Sequence, residues 1–174
     1  MWRLPQPLIE RKTMSRIIKA NLTANDATAV EQLGKLYIDH ATGKAYRYVL
    51  VEDMAIANGD SVEYSDTSGY EVTKDRAGGA SVGRVPAGVA VGTISDGYYG
   101  WIQVSGRHTS IKTDGGVTAG QSLVPHATVD GRADSEANGS TVTVTSGQIF
   151  ARALEADDGT TSAGTCAGMI INCL

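Results

Sequence analysis

The stretch Asp96-Gly-Tyr-Tyr-Gly-Trp-Ile-Gln-Val-Ser-Gly106 predicts a central β-strand, because apolar and polar residues alternate between bracketing glycines. It holds two of the seven tyrosines and one of the two tryptophans. Successive side chains of a strand point to opposite faces. One face is aliphatic and suits a core, whereas the other is aromatic and polar and suits a half-buried groove or a subunit contact. The first face comprises Tyr98, Gly100, Ile102 and Val104, and the second comprises Tyr99, Trp101, Gln103 and Ser105.

The composition also indicates a β-rich fold. Glycine makes up 21 of 174 residues, about 12 % against a usual ~7 %. Short runs of Val, Ile, Thr and Tyr lie between these glycines, which is the pattern of strands joined by tight turns. The length fits one domain, or one compact domain with an arm.

Several strand pairs are predicted around this central stretch. Residues Lys35–Asp39 and Ala45–Val51 flank a loop that ends near Gly43 and form a hairpin. Its second strand places Tyr46, Tyr48 and Leu50 on one face. Further strands are predicted at 62–64, 70–73, 82–85, 89–94, 98–105, 107–113, 121–124, 127–129, 141–145, 148–154 and 166–174.

Other segments are predicted to connect these strands. Pro86–Gly88 is expected to be a turn, and Gly131–Ser140 a polar loop, because neither has a β-prone run. Asn21–Leu33 is compatible with a short capped helix or equally with a strand or loop. Two six-residue stretches, Ala57-Asn-Gly-Asp-Ser-Val62 and Thr118-Ala-Gly-Gln-Ser-Leu123, share a pattern and predict equivalent corners at which a loop enters a strand.

Together these patterns predict a mainly β fold, an antiparallel β-barrel or sandwich with an extended N-terminal arm. Residues 1–20 are expected to form the arm, because Pro5 and Pro7 favour extended backbone. Residues 21–174 are expected to form a single β-rich domain.

Charge is distributed unevenly between arm and body. The whole chain carries a net charge of −4, which does not favour nucleic-acid binding by the body. The arm is basic, with only Glu10 opposing Arg3, Arg11, Lys12, Arg16 and Lys19, and this pattern is typical of a segment that docks on an acidic surface. A solvated terminal segment is the alternative. No apolar run has the ~20 residues that span a bilayer, so no membrane partner is expected.

Candidate chemistry in the sequence is weak, and we expect no enzyme activity, cofactor or metal. His40, His108 and His126 are far apart in sequence, and no nucleophile has a base at a recognised spacing. Cys166 and Cys173 lack a zinc or redox spacing and are predicted to be free buried thiols. The aromatic residues around Trp101 could serve as a carbohydrate platform, but packing in a core or interface is the favoured interpretation.

Four segments resemble the head decoration (cement) proteins of tailed bacteriophages. They contain a Gly-Trp-apolar-Gln strand, a Thr-Ala-Gly-polar-x-Leu corner and an Ala-Leu-Glu strand, and the resemblance extends over about Gly34 to Leu174 but not over the arm. The segments are Gly88-Val-Ala-Val-Gly-Thr-Ile94, Gly97-Tyr-Tyr-Gly-Trp-Ile-Gln-Val-Ser-Gly106, Gly116-Val-Thr-Ala-Gly-Gln-Ser-Leu123 and Gly147-Gln-Ile-Phe-Ala-Arg-Ala-Leu-Glu-Ala156.

This resemblance implies a structural virion protein on the outer surface of an assembled capsid, where it clamps neighbouring major capsid subunits, commonly as a trimer. A carbohydrate-binding or adhesin module and a tail-fibre component are the alternatives. The arm and the aromatic strand are the expected partner-binding elements, because exposed apolar side chains on an arm call for a partner. The residues concerned are Trp2, Arg3, Leu4, Leu8, Ile9, Arg11, Tyr99 and Trp101.

Overall fold

A computed structural model describes residues 20–65, 69–76, 85–136, 148–159, 163–171 and 173. Within these residues the secondary structure consists of ten strands without a helix, so the mainly β prediction is confirmed. The strands are β1 (Leu36–Asp39), β2 (Lys44–Val51), β3 (Ser61–Tyr64), β4 (Glu71–Thr73), β5 (Pro86–Ala90), β6 (Tyr99–Thr113), β7 (Ser122–Pro125), β8 (Ala133–Ser135), β9 (Ala151–Ala153) and β10 (Gly164–Ile170).

Five of these strands close into a barrel, which we call the first ring. Its order is β2–β4–β3–β5–β6, and β6 then pairs with β2 to complete the circle. Strand β1 lies outside the ring and pairs antiparallel with β2, as the predicted hairpin requires. Closure removes the free edges that an open sheet of these strands would expose. The fold is therefore a barrel and not a sandwich.

Strand β6 is shared by two closed circuits. Its first half, Tyr99 to Ser105, pairs with β2, and its second half, Gly106 to Thr113, pairs with β10. The circuit β6–β10–β9–β7–β8 returns to β6 and forms the second ring. The expectation of two separate strands, 98–105 and 107–113, was wrong. Gly106 lies between the two halves with φ +91° and allows the chain to pass from one ring to the other without a break.

The two rings repeat the same arrangement. Each contains one parallel pair, β2–β4 in the first and β6–β8 in the second, and the remaining pairs are antiparallel. The two corners with related sequences are equivalent: Gly59 has φ +86° and Gly120 has φ +85°. The Gly59 N–H donates to Ala90 O and the Gly120 N–H to Ala153 O, both at 2.9 Å. The prediction of two equivalent corners is confirmed.

A continuous hydrophobic core runs through both rings. Val49, Ile102 and Val104 contribute in the first ring, and Leu123 and Phe150 in the second, each with at most 1 % of its surface exposed. Cys166 and Cys173 are both buried and are not joined to each other by a disulfide, as predicted. Burial, assisted by nearby carboxylates, raises the pKa of the Cys166 thiol to about 11, so this cysteine is uncharged and unreactive at neutral pH.

Several local predictions were wrong, because tertiary pairing overrode local propensity. Pro86–Gly88 belongs to strand β5, where Pro86 occupies the first position, the one place a strand readily accepts proline. The predicted polar loop at 131–140 contains β8, and 127–129 is not a strand. Residues 21–33 are irregular, so of the alternatives left open for them the loop is confirmed and the helix is not. The predicted strands at 82–84 and 141–145 lie outside the described residues.

Candidate functional site

Aromatic side chains form a layer on the outside of the first ring of strands. Tyr37 comes from β1, Tyr46 and Tyr48 from β2, and Tyr99 and Trp101 from β6. The ring centroids of Tyr48 and Trp101 are 5.2 Å apart at 62°, and those of Tyr37 and Trp101 are 6.1 Å apart at 67°. These edge-to-face arrangements are the ones that aromatic pairs prefer. We call these five residues the aromatic layer.

Residues 20–34, which we call the strap, cross this layer. Ala20, Leu22 and Leu33 pack on it while remaining partly exposed, and Ala24 is buried in it. Asp26 and Tyr99 exchange two backbone hydrogen bonds of 2.9 Å each. The strap is thus joined to β6 by a short bridge and held to the barrel by apolar contact.

Side-chain hydrogen bonds hold the strap at two further points. The Tyr48 hydroxyl donates to Asp26 Oδ2 at 3.1 Å and accepts from the Val30 N–H at 3.3 Å. Burial raises the pKa of Tyr48, with the Asp26 carboxylate adding to the effect, so the phenol keeps its proton at neutral pH. Asn25 Oδ1 accepts from the Ser95 N–H at 2.9 Å. The strap therefore has polar as well as apolar anchors.

The predicted site residues fall into two groups. Tyr99 and Trp101 lie together in the aromatic layer. Trp101 is only 3 % exposed, because neighbouring aromatic side chains and the strap cover it. A partner or a sugar therefore finds no open face of the Trp101 indole in the described chain. The arm residues Trp2, Arg3, Leu4, Leu8, Ile9 and Arg11 lie outside the described residues.

Sequence reasoning missed the strap and its partner residues. The alternation that placed Tyr46 and Tyr48 on one face of β2 matches that of Tyr99 and Trp101 on β6. Pairing the two strands through these faces would have predicted the aromatic layer. Nothing in the local sequence around Asp26 indicates that it bridges to Tyr99, because that contact spans more than seventy residues.

Two sets of buried charges elsewhere in the barrel, around Asp60 and around Arg76, are paired, which indicates a structural role. Asp60 is 2 % exposed, and its carboxylate accepts from Lys112 Nζ at 2.5 Å, Lys74 Nζ at 3.2 Å and the Ala57 N–H at 2.8 Å. Arg76 forms a buried ion pair with Glu63. A buried charge without a partner is costly, so removal of one member of a pair should destabilise the barrel.

Neither a metal-binding cluster nor a membrane-spanning helix is present in the part of the chain that the structure describes. Among those residues, no group of three or more His, Cys, Asp or Glu side chains is arranged to hold a metal ion. His108 is 4 % exposed, and burial lowers its pKa, so it is neutral at pH 7. Over the same residues, no helix combines the length and apolar character needed to cross a membrane.

Acidic side chains gather at one end of the first ring, around Glu52. Partial burial makes the largest contribution to raising the pKa of Glu52. The carboxylate of Glu71, to which Glu52 is hydrogen-bonded, raises this pKa further. Asp53 and Asp96 add smaller contributions. Because the folded protein holds a proton that the unfolded chain releases, stability falls as the pH rises from the ordinary value of 4.5 through the raised pKa.

Glu52→Gln should therefore stabilise the protein at pH 7 by about 0.5 kcal/mol, the size of a like-charge contact on a sheet surface. The gain should vanish near about pH 3, where Glu52 is protonated in both states. Urea unfolding at the two pH values measures it, with the exposed Glu136→Gln as the matched control. A gain that persists at the lower pH would contradict the electrostatic explanation.

Comparison with known proteins gives few matches. No protein-family model matches the chain, and no curated protein matches it. Among solved structures, it is similar to the head fiber gp8.5 N base in bacteriophage phi29, with 15 % identity and a TM-score of 0.47. The alignment covers 74 % of this chain and 94 % of that one. At this identity and TM-score, the likeness assigns no function to the chain.

Proposed function

We propose that this chain is a structural virion protein of a tailed bacteriophage. It binds the outer surface of the assembled capsid and stabilises it by clamping neighbouring major capsid subunits. The sequence segments that resemble head decoration proteins support this assignment. It is made in the host cytoplasm and acts on the particle, and its work is mechanical, so it requires neither an active site nor a cofactor.

The observation that carries the proposal is the way the strap, which follows the arm in sequence, is held to the barrel. Ala20, the last residue of the predicted arm and the first of the strap, packs on the aromatic layer, and the strap is hydrogen-bonded to β2 and β6. Tension on the arm would be transmitted to the two strands that close the first ring. A clamp needs such a rigid root, because a loosely attached arm would bind without restraining the capsid.

The reach and charge of the arm suit a capsid surface. Nineteen extended residues span up to about 60 Å, enough to contact more than one subunit. Trp2, Leu4, Leu8 and Ile9 would bury apolar area, while Arg3 and Arg11 would meet acidic groups of the major capsid protein. Many copies on one lattice bind with avidity, so each arm needs only moderate affinity.

The body is proposed to self-associate as a trimer at three-fold or quasi-three-fold positions. Three arms from one trimer would reach three neighbouring subunits and link them. This arrangement shares the load of internal DNA pressure among several contacts. No nucleic-acid or membrane partner is part of the proposal.

Deleting residues 1–16 should abolish capsid binding and leave the barrel folded. The measurement is co-sedimentation of the purified chain with capsids that lack it, with circular dichroism to check the fold. Two full-length variants separate the contributions: Trp2→Ala with Leu8→Ala and Ile9→Ala removes apolar anchors, whereas Arg3→Ala with Arg11→Ala removes charge. Added salt should weaken capsid binding by the wild type and so partly reproduce the loss of binding in the charge variant.

Normal capsid occupancy by the truncated chain would contradict the hypothesis that the arm binds the capsid. Cryo-electron microscopy of the particle provides an independent test, because copies found on the tail or fibres would favour the tail-fibre alternative. A glycan array tests the adhesin alternative. Binding to an array that is lost in a folded Trp101→Ala variant would favour a carbohydrate module, although the 3 % exposure of Trp101 argues against it.

A further inference from the structure

Strand β1 has an open backbone edge in the described part of the fold. It pairs with β2 on one side, through Leu36↔Arg47, Tyr37↔Tyr46, Ile38↔Ala45 and Asp39↔Lys44, and with no other described strand. Lys35 O accepts a hydrogen bond from the Tyr48 N–H. Antiparallel bonds recur at alternate residues, so the N–H and C=O groups of Leu36 and Ile38 point away from β2.

The side chains on this edge are unusual for an unprotected strand. Leu36 is 42 % exposed and Ile38 is 49 % exposed, and they share one face of β1. Natural proteins usually protect exposed edges with outward charges, proline or bulges, because an open apolar edge invites pairing. Here the residues that carry the free backbone groups are also apolar, so the edge has both elements of a strand-pairing surface.

The sequence of this edge is self-complementary about Tyr37. In an antiparallel pair of two copies with Tyr37 on the axis, Leu36 faces Ile38 of the second copy, and Lys35 faces Asp39. The Lys35 side chain is 48 % exposed and forms an ion pair with Glu31 in its own chain, so it would be shared between Glu31 and Asp39 of the second copy. Hydrogen bonds from Thr42 Oγ1 and the Ala41 N–H lower the pKa of Asp39, which is therefore anionic at neutral pH. Each apolar side chain thus faces an apolar side chain of the second copy, and each charged side chain faces one of opposite charge.

We propose that β1 pairs antiparallel with β1 of a second copy about a two-fold axis through Tyr37. Leu36 and Ile38 of the two copies exchange backbone hydrogen bonds and bury their side chains against each other. Lys35 and Asp39 form an ion pair at each end. The match of charge and apolar character identifies a second copy as the occupant, because Lys35 meets Asp39 and Leu36 meets Ile38 only when the partner strand has the sequence of β1.

This contact goes beyond capsid binding, since it joins one copy of the protein to another. A two-fold contact is isologous and cannot close a ring of three. It would therefore link neighbouring trimers across the capsid surface. The lattice would hold the edges close together, so a contact that is weak in solution becomes significant on the particle.

Sedimentation equilibrium of the full chain tests the contact from about 1 μM to about 1 mM. The wild type should form dimers, or larger species if trimers also form. Ile38→Lys should weaken the association at least about tenfold, because it places two like charges in the apolar centre. Ile171→Lys is the matched control, since Ile171 is 58 % exposed and follows directly after β10 of the second ring, where its N–H donates to Phe150 O.

A charge exchange tests the register. Lys35→Glu alone and Asp39→Lys alone should each weaken self-association, because each places like charges opposite one another. An equimolar mixture of the two variants should associate again, since both ion pairs are then restored. Circular dichroism checks that each variant is folded, because Asp39 also accepts hydrogen bonds from Thr42 and Ala41, and Lys35 also forms an ion pair with Glu31.

Three results would overturn the proposal. The wild type could stay monomeric at the highest concentration, or associate with the same strength after Ile38→Lys. Alternatively, the mixed charge variants could fail to associate although each is folded, which would exclude the register about Tyr37. The first two exclude pairing through β1 altogether.

Discussion

Trp101→Ala should be among the most destabilising single substitutions in this protein, costing about 3–5 kcal/mol in the free energy of unfolding. The indole is 3 % exposed and contacts Tyr37 and Tyr48 edge-on. Its removal leaves a cavity between the barrel and the strap and also removes two aromatic contacts. Urea unfolding monitored by far-ultraviolet circular dichroism measures the loss.

The strap should loosen before the barrel unfolds in this variant. Hydrogen exchange at the Asp26 and Val30 amides, which donate to Tyr99 O and Tyr48 Oη, should accelerate at least about tenfold more than exchange at core amides of β10. Leu154→Ala provides the control, because Leu154 is 45 % exposed and its loss should cost less than about 0.5 kcal/mol. Unchanged protection of Asp26 in a destabilised Trp101→Ala variant would show that the indole does not hold the strap.

The parts of the fold that were predictable are those in which neighbouring residues carry the signal. The Tyr46/Tyr48 and Val49/Val51 alternation of β2 reads directly as one aromatic and one aliphatic face, and the structure has both. The Gly43 turn likewise has φ +68°, a conformation that favours glycine, so the β1–β2 hairpin was visible in the sequence.

The parts that were missed depend on contacts between distant residues. Gly106 looked like a strand break, yet pairing with β2 before it and β10 after it keeps β6 continuous. Strand β8 has only Ala133, Asp134 and Ser135, a sequence with no β-propensity, and is made a strand by Leu123 to Pro125 alongside it. The strap carries no regular period because aromatic side chains from other strands position it.

Strand β6 occupies two different positions in the repeated arrangement of strands, one in each ring. In the first ring β6 is the last strand, paired with β2 and β5, and in the second it occupies the place that β2 holds in the first. One strand thus belongs to two barrels, so the barrels cannot rotate relative to each other without breaking it. Such rigidity suits the proposed clamp, in which the arm would be anchored on the first ring through the strap.

The two equivalent corner glycines allow a stringent test of that junction. Gly59→Ala should cost about 2–5 kcal/mol, combining the strain of a left-handed alanine with a steric overlap. A Cβ at Gly59 would lie 2.3 Å from Ser110 O on β6, and the Lys112 N–H binds Gly59 O at 2.9 Å, so the corner cannot easily move away. Thermal and urea unfolding measure the change.

Gly120→Ala is the matched control, because Gly120 has nearly the same φ but an open surrounding. The nearest atom to its Cβ would be Arg152 Nη2 at 3.8 Å, so only the backbone strain of about 1–2 kcal/mol remains. The difference between the two variants isolates the contact of the first-ring corner with β6. Equal losses at Gly59 and Gly120 would mean that the corner does not press on the shared strand, and that the two rings are less tightly joined than their common strand implies.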